Sequence, residues 1–350
     1  MMRIKPLLIA AIVVIISESS LLAQSIEDAG TALDASDFPK ALEILESLAA
    51  RDDAEAQASL GYLHFVGLGV PQNSTLAANW FRRAVKQGHS ESEYNLALLL
   101  DRGDGVVEDN NEAVRLYRRA AERGVAEAQM RLGQMLSVGE GVAQDDYEAT
   151  KWIGLAAKQG HGLSQFMLGL SFLNGAGVEK NITAALHWIK FAAEKNVAEA
   201  QSLLGEFYFK GEGVPQDLQE AVFWYRKASE HGEAVAQFNL GNMYRRGRGV
   251  NQNGIQAQKW YLASAKQGYA AAQANLGLLL ANGDGVKKDF VEAYAWLLLA
   301  KKNGDEVAPK ILPKLEKHMT SLQFTEAQRR YMTLPKMIFE DRFKGQKRPE

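Results

Sequence analysis

The chain contains no cysteine among its 350 residues, which excludes disulfides, thiolate metal sites, cysteine nucleophiles and cysteine-linked lipid anchors. Any fold must therefore hold together by packing and not by disulfides. An excess of positive charge is also missing, because 40 Lys and Arg residues face 42 Asp and Glu residues, for a net charge of -2. Nucleic-acid-binding surfaces carry a strong Lys and Arg excess, so no nucleic-acid partner is expected.

Long apolar runs are confined to the N-terminus. Residues 1–5 carry two positive charges and precede residues 6–16, eleven residues without a charge. That run is about half as long as a membrane-spanning helix, and Ala23 suits the small residue before a signal-peptidase cut. The sequence predicts a signal peptide over residues 1–23, a periplasmic or secreted location and no stable membrane span after cleavage. An uncleaved anchor and a short buried helix are the alternatives.

A pattern repeats every 36 residues from residue 53 to residue 304. A Gly-x-Gly motif followed by valine recurs seven times without a change of spacing, and a leucine precedes each motif. The first glycines of the motifs are Gly67, Gly103, Gly139, Gly175, Gly211, Gly247 and Gly283. Repeats of this length indicate stacked supersecondary units.

The second half of each repeat has the pattern of an amphipathic helix. An alanine, an aromatic residue three positions later and a small residue four positions after that share one helical face, as in Ala77, Trp80 and Ala84. All six tryptophans lie in this aromatic row, and Leu116 is its exception. An Asp or Asn precedes each of these helices as a candidate N-cap, and a Gly or Asn follows it as a candidate left-handed C-cap.

A single helix pair of this kind cannot bury its apolar stripe, so consecutive pairs must stack. The sequence therefore predicts an all-α solenoid of antiparallel helix pairs. Residues 24–52 are predicted to form an N-terminal capping helix pair, residues 53–304 the seven repeats, residues 305–334 C-terminal capping helices and residues 335–350 a flexible tail.

The motifs Ala198-Glu-Ala-Gln201, Leu204-Gly205, Gly211-Glu-Gly-Val-Pro215 and Ala221-x-x-Trp224 resemble the Sel-one-like repeat family, a relative of the tetratricopeptide solenoids. The resemblance covers about 250 of the 350 residues. It implies a right-handed superhelix with a concave groove lined by the first helix of each pair. It also implies an adaptor role, commonly in exported bacterial proteins. One cysteine-rich branch of the family is reported to bind or hydrolyse β-lactams. Because this chain has no cysteine, the inference that it shares that activity is weak.

Motifs for chemistry are missing from the chain. The Gly-x-Gly copies lack the third glycine of a dinucleotide-binding loop, and no nucleophile-elbow or zinc-peptidase motif is present. Of the six histidines only His89 and His161 share a repeat position, and two repeats separate them by about 20 Å, too far for one metal ion. The prediction is a protein that is not an enzyme, with no cofactor and no metal.

Function is expected at the positions that do not repeat. If the first helices line a concave groove, the groove has an apolar centre and a basic patch toward its C-terminal half, which suits a peptide or protein ligand. Packing against the neighbouring repeat is the alternative for its aromatic residues. The predicted groove residues are Tyr62, Tyr94, Leu98, Arg102, Phe166, Leu170, Leu173, Phe238, Asn242, Arg245 and Arg246.

The first functional hypothesis is thus an exported, non-enzymatic scaffold that binds a protein or peptide in the groove. The second is an envelope protein that binds polysaccharide or peptidoglycan, for which stacked aromatic residues in the groove are required. The third is a β-lactam or cell-wall hydrolase, for which the residues supply no motif.

Overall fold

A computed structural model describes residues 25–343, with side chains up to residue 336. The predicted signal peptide lies outside the described residues. Within 25–343 every regular element is a helix, so the all-α prediction is confirmed. In chain order the helices are α1 (Ile26–Asp34), α2 (Phe38–Ala50), α3 (Ala54–Val66), α4 (Ser74–Lys86), α5 (Ser90–Arg102), α6 (Asn110–Glu122), α7 (Ala126–Val138), α8 (Asp146–Lys158), α9 (Gly162–Asn174), α10 (Ile182–Glu194), α11 (Ala198–Lys210), α12 (Leu218–Glu230), α13 (Ala234–Arg246), α14 (Gly254–Lys266), α15 (Ala270–Asn282), α16 (Phe290–Lys302), α17 (Ala308–Glu316) and α18 (Ser321–Phe343).

Two units divide the chain. Among the described residues, unit 1 runs from residue 25 to Ser164 and includes Gly175–Glu179. Unit 2 comprises Gln165–Asn174 and the chain from Lys180 onward. In each unit the two helices of a repeat pack against one another and against the next pair, as expected for stacked helix pairs.

The second helices begin where the sequence predicts. Each is capped by a side-chain oxygen that accepts from a first-turn amide, as Asn73 accepts from the amide of Leu76 at 3.0 Å. The residues that follow these helices have φ values from 63° to 95°, including Asn196, the one non-glycine residue in the row. The caps are at Asn73, Asp109, Asp145, Asn181, Asp217, Asn253 and Asp289.

Helix α18 differs from the sequence expectation. The predicted flexible tail begins at residue 335, but α18 continues through Pro335 to Phe343. Ala327 and Leu334 on α18 are buried against the last repeat, and this packing retains the helix although Pro335 lacks a backbone donor. No helix within the described part of the chain is both long and apolar enough to cross a membrane.

Candidate partner-binding surface

Within each unit, first helices of neighbouring pairs border surface depressions, and we call this side of a unit its first-helix face. In unit 1 this face carries a depression of about 280 Å³ between α1, α3 and α5. Tyr62, a predicted groove residue, lines it and is 52% exposed. The other lining residues are Leu33, Glu55, Ala58, Ser59, Leu63, Glu91 and Asn95. An exposed aromatic ring beside two carboxylates could contact a partner.

The three predicted residues of α5 lie in unequal environments. Arg102 is exposed, whereas Tyr94 and Leu98 are half-buried. The ring of Tyr94 packs 5.9 Å from that of Tyr117, and burial, followed by the carboxylate of Glu127, raises the pKa of Tyr94. Tyr94 therefore contributes to packing as well as to the surface.

Beside Tyr94 lies a buried ionic network that the sequence analysis did not identify. The Asp101 carboxylate accepts from Arg131 Nε at 2.8 Å, from Arg131 Nη2 at 2.9 Å and from the Tyr117 hydroxyl at 3.1 Å. The hydrogen bonds that Arg131 donates to Asp101 raise the pKa of Arg131, and burial raises that of Tyr117. Only the 30-residue separation of Asp101 and Arg131, close to the repeat length, hints at this pair in the sequence.

In unit 2 the predicted residues of α9 are all half-buried. Phe166 and Leu173 pack against a cluster that contains Ala185, Ile189 and Leu204. These two apolar side chains thus pack into the interior, and part of each remains exposed to solvent.

The predicted residues of α13 take three different roles. The centre of the Phe238 ring lies 6.1 Å from that of Tyr261 and 5.2 Å from that of Tyr269, so these two rings cover much of the Phe238 side chain. Asn242 accepts a hydrogen bond from the Tyr261 hydroxyl at 2.8 Å. Arg245 is half-buried, whereas Arg246 is exposed.

Asn242 and Arg246 meet at a second concave site on the first-helix face of unit 2, which we call the partner cavity. It has a volume of about 390 Å³ and lies mainly between α11 and α13. Its lining residues are Glu206, Phe209, Lys210, Tyr225, Val235, Asn239, Asn242, Met243, Arg246 and Arg248. Of the predicted residues, only Asn242 and Arg246 line this cavity.

The charges around the partner cavity are not all matched. Lys210 pairs with Glu206 at 2.5 Å, which raises the Lys210 pKa. The Arg248 guanidinium lies 5.8 Å from the centre of the Phe209 ring. Among the described residues neither Arg246 nor Arg248 forms an ion pair with a carboxylate. The cavity thus combines apolar walls, two amide side chains and two guanidinium groups.

A serine, a histidine and a carboxylate also lie in line in unit 1. His89 Nδ1 is 3.0 Å from Ser92 Oγ, and its Nε2 is 3.1 Å from a carboxylate oxygen of Glu55. Ser92 is fully buried, and its amide donates to His89 Nδ1 at 3.1 Å as in a helix N-cap. His161 and Ser164 repeat this arrangement, so it is a capping device. Between residues 25 and 336, no three His, Asp or Glu side chains group in a way that could hold a metal ion.

Comparisons with known proteins agree with this repeat architecture. The Sel1 repeat pattern matches residues 54–89, 90–125, 126–161, 162–197, 198–233, 234–269 and 270–305. No curated protein matches the chain at a significant level.

Two solved structures are similar over most of the chain. A Sel1 repeat protein from Oxalobacter formigenes is 32% identical, covering 85% of this chain and 90% of its own, with a TM-score of 0.66. A protective antigen present in uropathogenic Escherichia coli strains, which displays an SLR fold, is 27% identical, covering 95% of this chain and 82% of its own, with a TM-score of 0.58. Repeats of this type generally mediate protein–protein interactions, and proteins built from them are typically non-catalytic scaffolds. With seven matching segments over more than two thirds of its length, the chain belongs to the Sel1 repeat family.

Proposed function

We propose that this protein is an exported, non-enzymatic scaffold that binds an extended segment of a partner protein at the partner cavity of unit 2. The observation that carries the proposal is the pair Arg246 and Arg248, which lack a carboxylate partner among the described residues and border a cavity with apolar walls. Arginine binds carboxylates through two parallel hydrogen bonds and is enriched among the residues that dominate interfaces.

The rest of the cavity indicates what kind of segment fits. Phe209, Val235 and Met243 offer an apolar surface for one side chain of the partner. Asn239 presents an amide group that can bond to an extended backbone, and Asn242, whose oxygen already accepts from Tyr261, can donate through its side-chain nitrogen. We therefore expect a partner segment with an apolar residue next to an Asp or Glu.

A photo-crosslinking amino acid in place of Asn239 tests this site. We expect a specific partner adduct from position 239 and none from position 255, because Ile255 is 66% exposed on the second helix α14. The double variant Arg246→Glu/Arg248→Glu should weaken binding of the captured partner at least tenfold. Lys301→Glu/Lys302→Glu is the matched control, since it makes the same change of charge at exposed positions of α16. Equal adduct yields from positions 239 and 255, or unchanged binding by the Arg246/Arg248 variant, would reject the site.

Export is proposed from the residues of the N-terminus, where two positive charges precede an uncharged apolar run and Ala23. We expect the protein in the periplasm or the medium. Cell fractionation with N-terminal sequencing of the mature chain tests this, and an intact N-terminus in the cytoplasmic fraction would contradict it.

The polysaccharide alternative requires aromatic rings with free faces along the first-helix face. Tyr94 and Phe238 pack against Tyr117 and Tyr261, which leaves Tyr62 as the most exposed ring among the predicted residues. Sedimentation with isolated cell wall separates this alternative from the scaffold, and nitrocefin turnover tests the hydrolase alternative.

A further inference from the structure

A second cavity of unit 2 lies where the last repeat meets the C-terminal helix α18. Its volume is about 400 Å³, within the range of about 300–1,000 Å³ that is usual for small-molecule sites. We call it the C-terminal cavity. Its lining residues are Gln258, Leu262, Lys266, Leu276, Leu280, Lys287, Asp289, Glu292, Trp296, Arg330 and Leu334. None of them lines the partner cavity.

Comparison with the preceding junction between two repeats explains why space is left here. Thirty-six residues before Leu280 and Leu262 stand Tyr244 and Arg226. At that junction Arg226 Nη2 of the fifth repeat donates to the hydroxyl of Tyr244 of the sixth repeat at 3.1 Å, so two large side chains meet. At the junction of the sixth and seventh repeats both positions are leucine, which removes the polar pair and makes the C-terminal cavity more apolar.

The carboxylate of Glu292, at the edge of the C-terminal cavity, pairs with a cationic residue outside the repeats. In unit 1, Arg118 of α6 bonds to Glu148 of α8, with Nη2 to Oε2 at 3.3 Å. Leu262 of the sixth repeat and Glu292 of the seventh occupy the equivalent positions, and Glu292 pairs with Arg330 of α18. Helix α18 thus neutralises Glu292 from outside the repeat, while the space next to Leu262 stays apolar.

The charges at this rim favour an anion. Three cationic residues, Lys266, Lys287 and Arg330, accompany Asp289 and Glu292. The two carboxylates are already engaged, since Glu292 pairs with Arg330 and Asp289 accepts from the Glu292 amide at 3.0 Å as the N-cap of α16. Lys287 is exposed, forms no ion pair with a carboxylate among the described residues and stands above a wall of leucines and Trp296.

We propose that the C-terminal cavity binds a medium-chain fatty carboxylate. The hydrocarbon chain lies next to Leu262, which is half-buried, and the largely buried Leu280 and Trp296 stand behind it. The carboxylate lies at Lys287, an exposed residue at the rim. Such a ligand matches both the apolar wall and the exposed ammonium group of Lys287, and its binding does not depend on the proposed partner.

Isothermal titration calorimetry with sodium decanoate, below its micellar concentration, tests this on the full chain. We expect one saturable site. Because each buried methylene strengthens binding about fourfold, octanoate should bind about fifteenfold more weakly than decanoate. Decanol, which lacks the carboxylate, should bind more weakly than decanoate. No saturable binding of decanoate, or equal binding of octanoate and decanoate, would overturn the proposal.

Two variants locate the site. Leu262→Arg/Leu280→Tyr installs the Arg–Tyr pair of the preceding junction between repeats and fills the cavity, so decanoate binding should fall at least tenfold at unchanged helicity. Lys287→Glu changes an exposed side chain and does not depend on repacking; it should weaken decanoate several-fold and leave decanol unchanged. Wild-type affinity for decanoate in the Lys287→Glu protein, or in a folded Leu262→Arg/Leu280→Tyr protein, would overturn the assignment.

Discussion

The carboxylate of Glu93, which is fully buried, accepts a hydrogen bond from Arg123 Nη1 at 2.7 Å. Other repeats place two glutamines at these positions, as Gln159 donates to Gln129 at 2.8 Å and Gln267 donates to Gln237 at 2.9 Å. Glu93 and Arg123 thus form a charged version of an amide pair that links successive repeats. Arg119 also pairs with Glu93.

This relationship predicts strong coupling between the two positions. Arg123→Gln should lower the free energy of unfolding by about 2 kcal/mol, because a buried carboxylate loses a charged donor. Glu93→Gln/Arg123→Gln should recover most of that loss, since it restores the amide pair of the other repeats. Urea unfolding of the two single variants and the double variant measures the coupling. Additive losses would show that the two positions act independently.

Stability should fall at alkaline pH. Burial, with a smaller contribution from Glu206, raises the pKa of Tyr225 above its usual value near 10. The folded state therefore keeps a proton that the unfolded state releases, so the free energy of unfolding falls above pH ~10 by up to about 1.4 kcal/mol per pH unit for this residue.

Tyr225→Phe removes that proton and should reduce the slope. Urea unfolding between pH 8 and pH 11 provides the measurement. Tyr147→Phe is the matched control, since Tyr147 is 73% exposed and its removal should leave the slope unchanged. A Tyr225→Phe protein that loses stability as steeply as the wild type would contradict this account.

Two glycines with positive φ should differ in their tolerance of alanine. A Cβ at Gly249 (φ +69°) would lie 2.2 Å from the Leu218 carbonyl oxygen, whereas one at Gly268 (φ +95°) would meet no atom within 4 Å. Gly268→Ala should cost only the backbone strain, about 1–2 kcal/mol. Gly249→Ala should cost clearly more, because the turn must move away from α12. Thermal and urea unfolding of the two variants check the order, and equal losses would refute the close approach.

His89 should be replaceable by another N-cap residue. Its Nδ1 accepts from the Ser92 amide at 3.1 Å, and asparagine can accept in the same way. His89→Asn should keep the unfolding free energy within about 0.5 kcal/mol, whereas His89→Val should lose about 1 kcal/mol. The valine occurs naturally at the equivalent Val125, which makes no side-chain cap. If both variants were equally stable, the cap would contribute nothing measurable.

Local features of the repeat could be predicted from the sequence because they depend on residues close in the chain. The caps such as Asn73, the left-handed Asn196 and the helix boundaries follow from side-chain chemistry within a few positions. The surface residues were harder to predict. Phe238 is half-buried because Tyr261 and Tyr269 cover its ring, and no local pattern reports that contact.

Long-range pairs escaped prediction for the same reason. Asp101 and Arg131 meet across neighbouring repeats, and Glu292 takes its cation from Arg330, which lies outside the 36-residue period. The pattern of the repeats carries no information about residues that interrupt it. Two of the predicted groove residues, Asn242 and Arg246, line the partner cavity, and both stand at non-repeating positions of a first helix.

The second glycine of each turn packs on the second helix of the repeat before it, as Gly141 does at Asn110 and Gly249 does at Leu218. Each such contact is made only between sequential neighbours, with backbone atoms at Gly141 and Gly249 and with side chains at Gly213. A gene duplication of one whole 36-residue segment would therefore supply a matching glycine–helix contact at both of its ends. A duplication of any other length would leave a turn glycine without the helix on which it packs. Growth and shortening of this protein during evolution should thus proceed in whole repeats, which alters the extent of the first-helix face without redesigning any interface.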